Sequence, residues 1–258
     1  MTIAAIIPAR YASSRLPGKP LADLHGKPMI VRVVERVAKH PRLGHVVVAT
    51  DDERVRQAVT DAGFNAVITR DDHRSGTDRI AEVAATLDFE LIVNVQGDEP
   101  MFDPRILDDA LAPFDATPGL RFGTVRAHLE SEAEVFDPNC VKVVVDENDF
   151  ALYFSRAPIP FPRDSLAYRD GRFDRVADTP PPHMDKHLGL YIYRRDFLLE
   201  YATWPPSRLE MIERLEQLRA LERGVRIACP LTAHATVSVD TPADLETVRR
   251  AWTKETNT

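Results

Sequence analysis

Residues 6–21 read IIPARYASSRLPGKPL, so a loop rich in cations directly follows an apolar run that ends at Pro8. The loop carries Arg10, Arg15 and Lys19, with serine, proline and a single glycine between them. Hydroxyl and main-chain donors between cations suit the oxygens of a phosphate group. The pattern is neither a GxGxxG fingerprint nor a P-loop. The alternative interpretation is a solvated loop, where most Arg and Lys side chains lie.

The composition favours a folded protein with a small anionic ligand. The chain has 258 residues, 44% of them hydrophobic, and a formal net charge of −7. This acidic balance argues against nucleic-acid binding, which needs a basic face. The loop cations are therefore a local feature, and they suit a small ligand better than a polymer.

The sequence carries no targeting or membrane signal. The first residues, MTIAAII, lack the basic flank and the cleavage site of a signal peptide. No apolar run approaches the roughly 18 residues that a membrane helix needs. We therefore expect a cytoplasmic protein that does not bind membranes. Cys140 and Cys229 are too few for a disulfide framework or a zinc site, so we expect buried thiols.

Strands and helices alternate outward from the opening stretch. Apolar runs predict strands at 3–7, 45–50, 66–69 and 91–96, and helical spacing predicts helices at 28–38, 52–63 and 77–87, the last capped by Thr77. Short apolar strands separated by helices indicate a parallel sheet covered on both faces. The expected fold class is therefore α/β and Rossmann-like, with a mainly parallel sheet.

The alternation changes after about residue 115, which predicts a smaller mixed extension. Strands are expected at 122–129, 140–146, 151–156 and 187–194, with an irregular proline-rich stretch over 157–186. Residues 207–224 read as one helix. A last helix begins near residue 241, with Thr241 as its cap and Pro242 at its first position.

Seven motifs occur in a fixed order and carry a family resemblance. They are IPARYASSRLPGKPL, HRSGTDRIAEV, NVQGDEP, ALYFSRAPIP, HLGLYIYR, LEMIERLEQLR and VDTPADLE. Together they resemble 3-deoxy-D-manno-octulosonate (Kdo) cytidylyltransferases, the CMP-Kdo synthetases, over about residues 3–249. No motif could be matched within 163–186.

The resemblance implies a fold, a reaction and an assembly. The chain would be a single nucleotidyltransferase domain over 1–258, a sandwich in which a mixed α+β insertion at roughly 116–225 forms the sugar site and a homodimer interface. It would transfer CMP from CTP to the anomeric hydroxyl of Kdo and release pyrophosphate, which activates Kdo for lipopolysaccharide synthesis.

The resemblance also implies which residues handle the triphosphate. Arg10 and Lys19 would contact the phosphates and act in catalysis together with Asp98, and Arg15 would belong to the same cradle. Mg²⁺ would be held by Asp98 and Asp240, because this ion takes one or two carboxylates beside phosphate oxygens and water. Taken alone, each aspartate has the alternative interpretation of a turn or cap residue. Glu99 should point away from Asp98 if the chain is extended there.

The base contacts implied by the resemblance are Arg70, Ser75, Gly76 and Gln96. A site that selects cytosine over uracil needs an acceptor for the 4-amino group, and Gly76 would permit close approach of the main chain. The alternative is an ordinary strand-to-helix loop that uses the same residues for capping. His73 is interpreted as a surface histidine.

The sugar contacts implied by the resemblance are Arg156, His187, Tyr191, Glu210 and Gln217. His187 and Tyr191 lie four apart on a strand and so share a face. Glu210 and Gln217 lie seven apart on the predicted helix and so share a stripe. The alternatives are an exposed strand-end arginine and a solvated polar stripe.

Two rival functions stay open at this point. One is a neighbouring enzyme that acts on sialate or on 8-amino-Kdo, and the continuation YASSRLPGKP disfavours sialate. The other is a non-catalytic nucleotide-binding regulator, which the joint presence of Lys19, Asp98 and Asp240 disfavours because a pure binder needs no metal pair.

Overall fold

A computed structural model of the chain describes residues 1–13, 15–73, 75–163, 166–169, 172–175, 184–234 and 236–255. It contains two compact units. Unit 1 comprises Met1–Asp108, Gly189–Trp204 and His234–Thr258, and unit 2 comprises Asp109–Leu188 and Pro205–Ala233. The insertion expected over roughly 116–225 stays a prediction.

The strands are β1 (Ile3–Ala9), β2 (His45–Thr50), β3 (Asn65–Ile68), β4 (Leu91–Asn94), β5 (Phe122–His128), β6 (Lys142–Val145), β7 (Ala151–Ser155), β8 (Leu166–Arg169), β9 (Arg172–Arg175), β10 (Asp185–Arg194) and β11 (Ile227–Ala228). The helices are α1 (Met29–Val37), α2 (Glu53–Asp61), α3 (Gly76–Ala84), α4 (Ile106–Ala116), α5 (Glu132–Phe136), α6 (Arg195–Tyr201), α7 (Arg208–Glu213), α8 (Leu218–Glu222) and α9 (Pro242–Glu255). None of these described helices is both long and apolar enough to span a membrane.

Unit 1 is built on the parallel sheet that the sequence predicted. β1 lies between β2 and β4, and β3 extends the sheet beyond β2, all in parallel pairing. The part of β10 that belongs to unit 1 pairs with β4 in the antiparallel direction, with Tyr191 opposite Asn94. The first five residues of β1 are buried, as expected for a strand that helices cover on both faces.

Helix caps in unit 1 agree with the sequence in one place and differ in another. Thr241 caps α9, because its Oγ1 accepts a hydrogen bond from the Asp244 amide at 3.2 Å. The expected Thr77 cap of α3 is wrong. Ser75 is extended and its Oγ accepts from the Asp78 amide at 3.1 Å, so the helix begins two residues earlier.

The start of α9 is anchored close to the end of β4. Apolar residues of α9 pack with Leu24 and Met29 in a buried cluster that also includes Val239. The Val239 amide donates to the main-chain oxygen of Asp98 at 2.8 Å. This hydrogen bond sets Asp240, the next residue, beside the segment that follows β4.

Unit 2 is mixed, as predicted. β5 and β11 are parallel, whereas β6 pairs in the antiparallel direction with β7 and with the first residues of β10. The stretch expected to be irregular contains the antiparallel pair β8 and β9, and its residues 176–183 lie outside the described part. Cys229 is buried as expected, whereas Cys140 is only half-buried.

The single helix expected over 207–224 is wrong. α7 ends at Glu213, and α8 begins at Leu218. Arg214 lies between them in the left-handed region, with φ 55°. A left-handed residue ends helical hydrogen bonding. The apolar spacing in the sequence continues past Arg214 although the helix does not, which is why the spacing predicted one helix.

Candidate active site

A cleft of about 380 Å³ in unit 1 collects the residues that were expected to bind the triphosphate. Its walls come from the segments that follow β1 and β4 and from the start of α9, and neighbouring parallel strands meet at this edge of the sheet. Among its lining residues are Arg10, Arg15, Lys19, Gly76, Gln96, Asp98 and Asp240.

Lys19 lies at the centre of the charges in this cleft. Its Nζ is 2.6 Å from Asp98 Oδ2 and 3.1 Å from Asp240 Oδ1. Arg15 Nη2 is also 3.1 Å from Asp240 Oδ1. Desolvation alone would lower the pKa of Lys19, but Asp98 and then Asp240 outweigh it and raise the pKa above its ordinary value. Lys19 is therefore a fixed positive charge at neutral pH.

Gly97 is required where the ends of β1 and β4 meet. A Cβ atom at this position would lie 2.6 Å from the main-chain oxygen of Pro8. Because that oxygen belongs to the backbone, a larger residue would push the two segments apart. The glycine thus keeps Asp98 within reach of Lys19.

Asp98 and Asp240 fit the donor set of a magnesium site. Both carboxylates direct an oxygen to the same point, the Nζ of Lys19. In the described part of the chain, no group of three or more His, Cys, Asp or Glu side chains could hold a metal ion. Two carboxylates beside phosphate oxygens and water are what Mg²⁺ commonly takes, so the residues suit an ion that arrives with a nucleotide. Magnesium itself stays a prediction.

Glu99 has partners that differ from those of its neighbour Asp98. It is buried, and its Oε2 accepts a hydrogen bond from Thr236 Oγ1 at 3.2 Å. Burial, with a smaller contribution from the Asp98 charge, raises the pKa of Glu99 to about 8. Glu99 therefore holds a proton at neutral pH, whereas Asp98 contacts Lys19.

The base loop is the segment 70–76, of which Arg74 lies outside the described residues, and its last residues lead into α3. Ser75 caps the helix, as the alternative interpretation had it, and Gly76 lines the cleft. Arg70 is exposed, with its Nε 3.5 Å from Glu82. Gln96 Nε2 donates to Asn94 Oδ1 and to the Gly189 main-chain oxygen, both at 3.2 Å. The role of each in binding the base stays a prediction.

The expectation of a surface position for His73 is wrong. The side chain is buried and hydrogen-bonded to the Glu82 carboxylate. Its main-chain oxygen accepts a hydrogen bond from Arg10 Nη2 at 2.5 Å. A histidine of the base loop therefore contacts a cation of the phosphate loop, as the cation-rich segment 10–19 is called from here on.

Two of the predicted sugar contacts, Arg156 and Glu210, bind other residues of unit 2. Arg156 donates to three main-chain oxygens, those of Pro138, Glu213 and Arg214. Glu210 forms a two-point ion pair with Arg219, with N–O distances of 2.6 and 2.8 Å.

The predicted stripe of Glu210 and Gln217 is wrong because the helix breaks between them. Glu210 closes the capping box of α7 with Ser207, whereas Gln217 is a buried residue that directly precedes α8 and whose side chain does not cap it. Their expected contacts with a sugar stay predictions.

The two predicted sugar residues of β10 follow the expected alternation. Leu188, Leu190 and Ile192 are buried, whereas His187 and Tyr191 are partly exposed. His187 Nε2 is hydrogen-bonded to Thr124 Oγ1 at 2.8 Å. Although part of the residue is exposed, its ring packs edge-on against Phe154, and desolvation lowers the pKa of His187 to about 3, so the ring is neutral at pH 7.

Comparison with known proteins agrees with this geometry. The cytidylyltransferase family model matches residues 4–227. A 3-deoxy-manno-octulosonate cytidylyltransferase of Geobacter sulfurreducens is 51% identical over 248 residues, which are 96% of this chain and 98% of that one. Its counterpart in Syntrophotalea carbinolica is 52% identical over 245 residues, 95% and 96% of the two chains. The chain belongs to the 3-deoxy-manno-octulosonate cytidylyltransferase family.

Solved structures support the same assignment. The structure of CMP:2-keto-3-deoxy-manno-octonic acid synthetase complexed with CTP matches with a TM-score of 0.89 at 44% identity, over 99% of this chain and 100% of that one. A cytidylyltransferase from Leptospira borgpetersenii, at 17% identity and a TM-score of 0.63, shows the fold alone. The resemblance drawn from the motifs, the nucleotidyltransferase fold and the enzyme class are thereby confirmed.

Sequence reasoning missed a buried charged residue on the helix that begins at the cleft. Arg79 on α3 is fully buried and pairs with Asp51, which follows β2. A signal was present, because Arg79 lies four residues before Val83, a buried residue of the same helix. A cation on the buried face of a helix needs a partner.

Proposed function

We propose that this chain transfers CMP from CTP to the anomeric hydroxyl of Kdo, with Mg²⁺ held by Asp98 and Asp240, and releases pyrophosphate. The observation that carries the proposal is the contact of Lys19 with both carboxylates in a cleft that Arg10 and Arg15 also line. The names of the relatives and the CTP complex of the structural neighbour support the choice of substrates.

The residues of the cleft suit displacement at the α-phosphorus of a nucleoside triphosphate. In phosphoryl transfer the protein chiefly positions the reactants and neutralises charge. Arg10, Arg15 and Lys19 supply three positive charges, and the ammonium group of Lys19 is the one set among the carboxylates. Bound Mg²⁺ would add charge neutralisation on the phosphate oxygens. Residues of the base loop and Gln96 would hold the cytosine.

Pyrophosphate release tests this function directly. Purified protein is assayed with CTP, UTP, ATP and GTP, each with Kdo, with 8-amino-Kdo, with N-acetylneuraminate and without sugar, in the presence and absence of Mg²⁺. We expect release with CTP and Kdo that depends on Mg²⁺. Preference for 8-amino-Kdo would keep the chemistry and change the sugar, whereas CTP binding without any release would favour a nucleotide-binding regulator.

We also propose that the protein is a cytoplasmic homodimer whose product enters lipopolysaccharide synthesis. Large apolar side chains are exposed on unit 2, with Leu152 at 62%, Met211 at 56% and Ile212 at 67%. Adjoining exposed apolar side chains are typical of an association surface, and Met211 and Ile212 are neighbours in α7. Light scattering of the wild type and of Ile212→Glu tests the dimer. Equal masses for the two proteins would exclude this face as the interface.

A further inference from the structure

Arg79 is a buried cation at the fourth position of α3, three residues after Gly76, which lines the candidate nucleotide cleft. Its side chain is 0% exposed, and its Nη2 donates to Asp51 Oδ2 at 2.7 Å. Its Nη1 donates to the hydroxyl of Thr69 and to the main-chain oxygen of Arg70, the latter at 3.3 Å. Arginine is rarely buried so fully, and an apolar side chain would fill a helix–sheet contact at lower desolvation cost. The guanidinium therefore has a use that an apolar residue cannot supply.

The partners of Arg79 lie where two strands end. Asp51 directly follows β2, and Thr69 directly follows β3. Arg70, whose oxygen also accepts from Arg79, is the first residue of the base loop. One planar fork of donors thus holds the ends of two neighbouring strands and the beginning of the loop that leads into α3.

Asp51 extends this connection to the loop that carries the cations. Its Oδ1 lies 3.5 Å from the main-chain nitrogen of Tyr11, which donates to it, and Tyr11 follows Arg10. Its side chain is 16% exposed, so water competes little with these bonds. The buried Arg79 and the partly buried Asp51 therefore connect the base loop with the phosphate loop.

We propose that Arg79 and Asp51 are positioning residues of the nucleotide site, which fix the base loop relative to the phosphate loop, so that selection of cytosine over uracil depends on them. The proposal rests on the function proposed above. At position 4 cytosine carries an amino donor where uracil carries a carbonyl acceptor. A site discriminates between them only if its own acceptor is held in place, because a loop that shifts can accommodate either base.

Arg79→Lys tests the proposal while keeping the charge. A single ammonium group cannot reach Asp51, Thr69 and the Arg70 oxygen together. We expect the KM for CTP to rise at least about tenfold, kcat to change less than about threefold, and the CTP to UTP ratio of kcat/KM to fall at least about fivefold. Asp51→Asn should move the same three quantities in the same directions. Calorimetric titration with CTP and with UTP repeats the comparison without sugar.

Arg195→Lys is the control, because Arg195 on α6 contacts the other end of α3. Arg195 donates to the main-chain oxygens of Ala84 at 2.9 Å and Ala85 at 3.1 Å, at the last turn of α3. The control should lower the thermal midpoint and leave the CTP to UTP ratio at the wild-type value. If Arg79→Lys behaves like the control, Arg79 only supports the core and the proposal is wrong.

Further variants keep the test decisive if Arg79→Lys does not fold. Asp51→Asn removes the negative charge that pairs with Arg79, and Thr69→Val removes the hydroxyl that accepts from it, each with little change in volume. A wild-type ratio in both would overturn the proposal. Assays of the wild type show which of the two proposals has failed. Absence of both CTP turnover and CTP binding in the wild type rejects both proposals, whereas normal CTP turnover with unchanged selectivity in the variants rejects only this one.

Discussion

Lys19 in unit 1 and Arg219 in unit 2 are both cations held by carboxylates, but their surroundings differ. The side chains of Lys19, Asp98 and Asp240 are 15%, 28% and 39% exposed. Those of Arg219 and Glu210 are only 6% and 13% exposed. Water and a ligand can reach the first group, whereas the second pair is closed within its unit. Ion pairs between a cation and a carboxylate are therefore open to ligand binding in unit 1, whereas the pair in unit 2 stabilises the fold.

The number of partners leads to the same distinction. Asp240 Oδ1 is shared by Lys19 and Arg15, so either cation can leave while the carboxylate keeps a partner. Both oxygens of Glu210 are bound to Arg219, and one of them also accepts the Ser207 amide that caps α7. Substitutions in the cleft should therefore cost activity, and substitutions in the unit 2 pair should cost stability.

Glu210→Ala should have the largest effect on the free energy of unfolding. The substitution removes both short contacts of the buried Arg219, leaves it with Glu216 at 3.6 Å, and removes the capping box of α7. Breaking a buried pair from one side costs about 3–5 kcal/mol. Urea denaturation followed by circular dichroism measures the loss.

A surface pair of the same unit supplies the control for Glu210. Glu130, 74% exposed, lies 3.7 Å from Lys186. Glu130→Ala should cost less than about 1 kcal/mol, as exposed pairs do. Equal losses for the two variants would show that the pair in unit 2 is no more closed than the surface.

Asp98→Asn should reduce turnover more than any conservative change in unit 2. Loss of one carboxylate weakens the proposed metal site and frees Lys19 from its shorter contact. We expect kcat/KM to fall at least about a hundredfold, equivalent to about 2.7 kcal/mol, with little change in the thermal midpoint. Pyrophosphate release over a range of Mg²⁺ concentrations measures it.

Asp103→Asn is the control for Asp98 in unit 1. Asp103 pairs with Arg105 at 2.6 Å, and neither residue lines the cleft. This variant should keep wild-type turnover and Mg²⁺ dependence. Wild-type Mg²⁺ dependence in Asp98→Asn would instead make Asp98 a turn residue.

The sequence predicted the sheet of unit 1 because the signals there are local. Apolar runs such as that of β1 and the helical spacing of α1 each depend on neighbours within a few residues. The contact of Lys19 with Asp240 joins residues 221 apart in the chain. Only the family resemblance brought those two residues together before the structure was known.

The errors lie where tertiary contacts override a local pattern. His73 has the polarity of a surface residue, but its side chain is buried and hydrogen-bonded to Glu82 on α3. Arg79 was missed because its partner Asp51 lies on another strand end, 28 residues away. Neither partner can be chosen from spacing alone, because the fold decides which strand ends are neighbours.

His187 should make stability depend on pH in a defined window. Desolvation lowers its pKa from 6.5 to about 3 in the native protein. Below pH 6.5 the unfolded chain therefore binds a proton that the native chain does not, so stability is lost as the pH falls toward 3. Between pH 6.5 and 5.5 this group alone should cost about 1 kcal/mol.

Denaturation of the wild type and of His187→Asn at several pH values tests this dependence. The variant should lose less stability than the wild type over the same interval. Identical slopes would mean that the ring stays solvated and titrates normally, and that unit 2 is more open at β10 than at the Glu210 pair.

Arg214→Gly should have the smallest effect on the free energy of unfolding. The sign of that effect tests whether the backbone breaks between α7 and α8. At φ 55° a side chain is strained and glycine is not, so we expect a gain of about 0.5–1 kcal/mol in unfolding free energy. A continuous helix, which the sequence pattern predicted, would instead lose about 1 kcal/mol on the same substitution. Arg223→Gly is the control, because Arg223 follows α8 at φ −97°. Glycine there relieves no strain and should lower the unfolding free energy. A gain at Arg214 with a loss at Arg223 would support the break between the helices. Losses at both positions would support a single continuous helix.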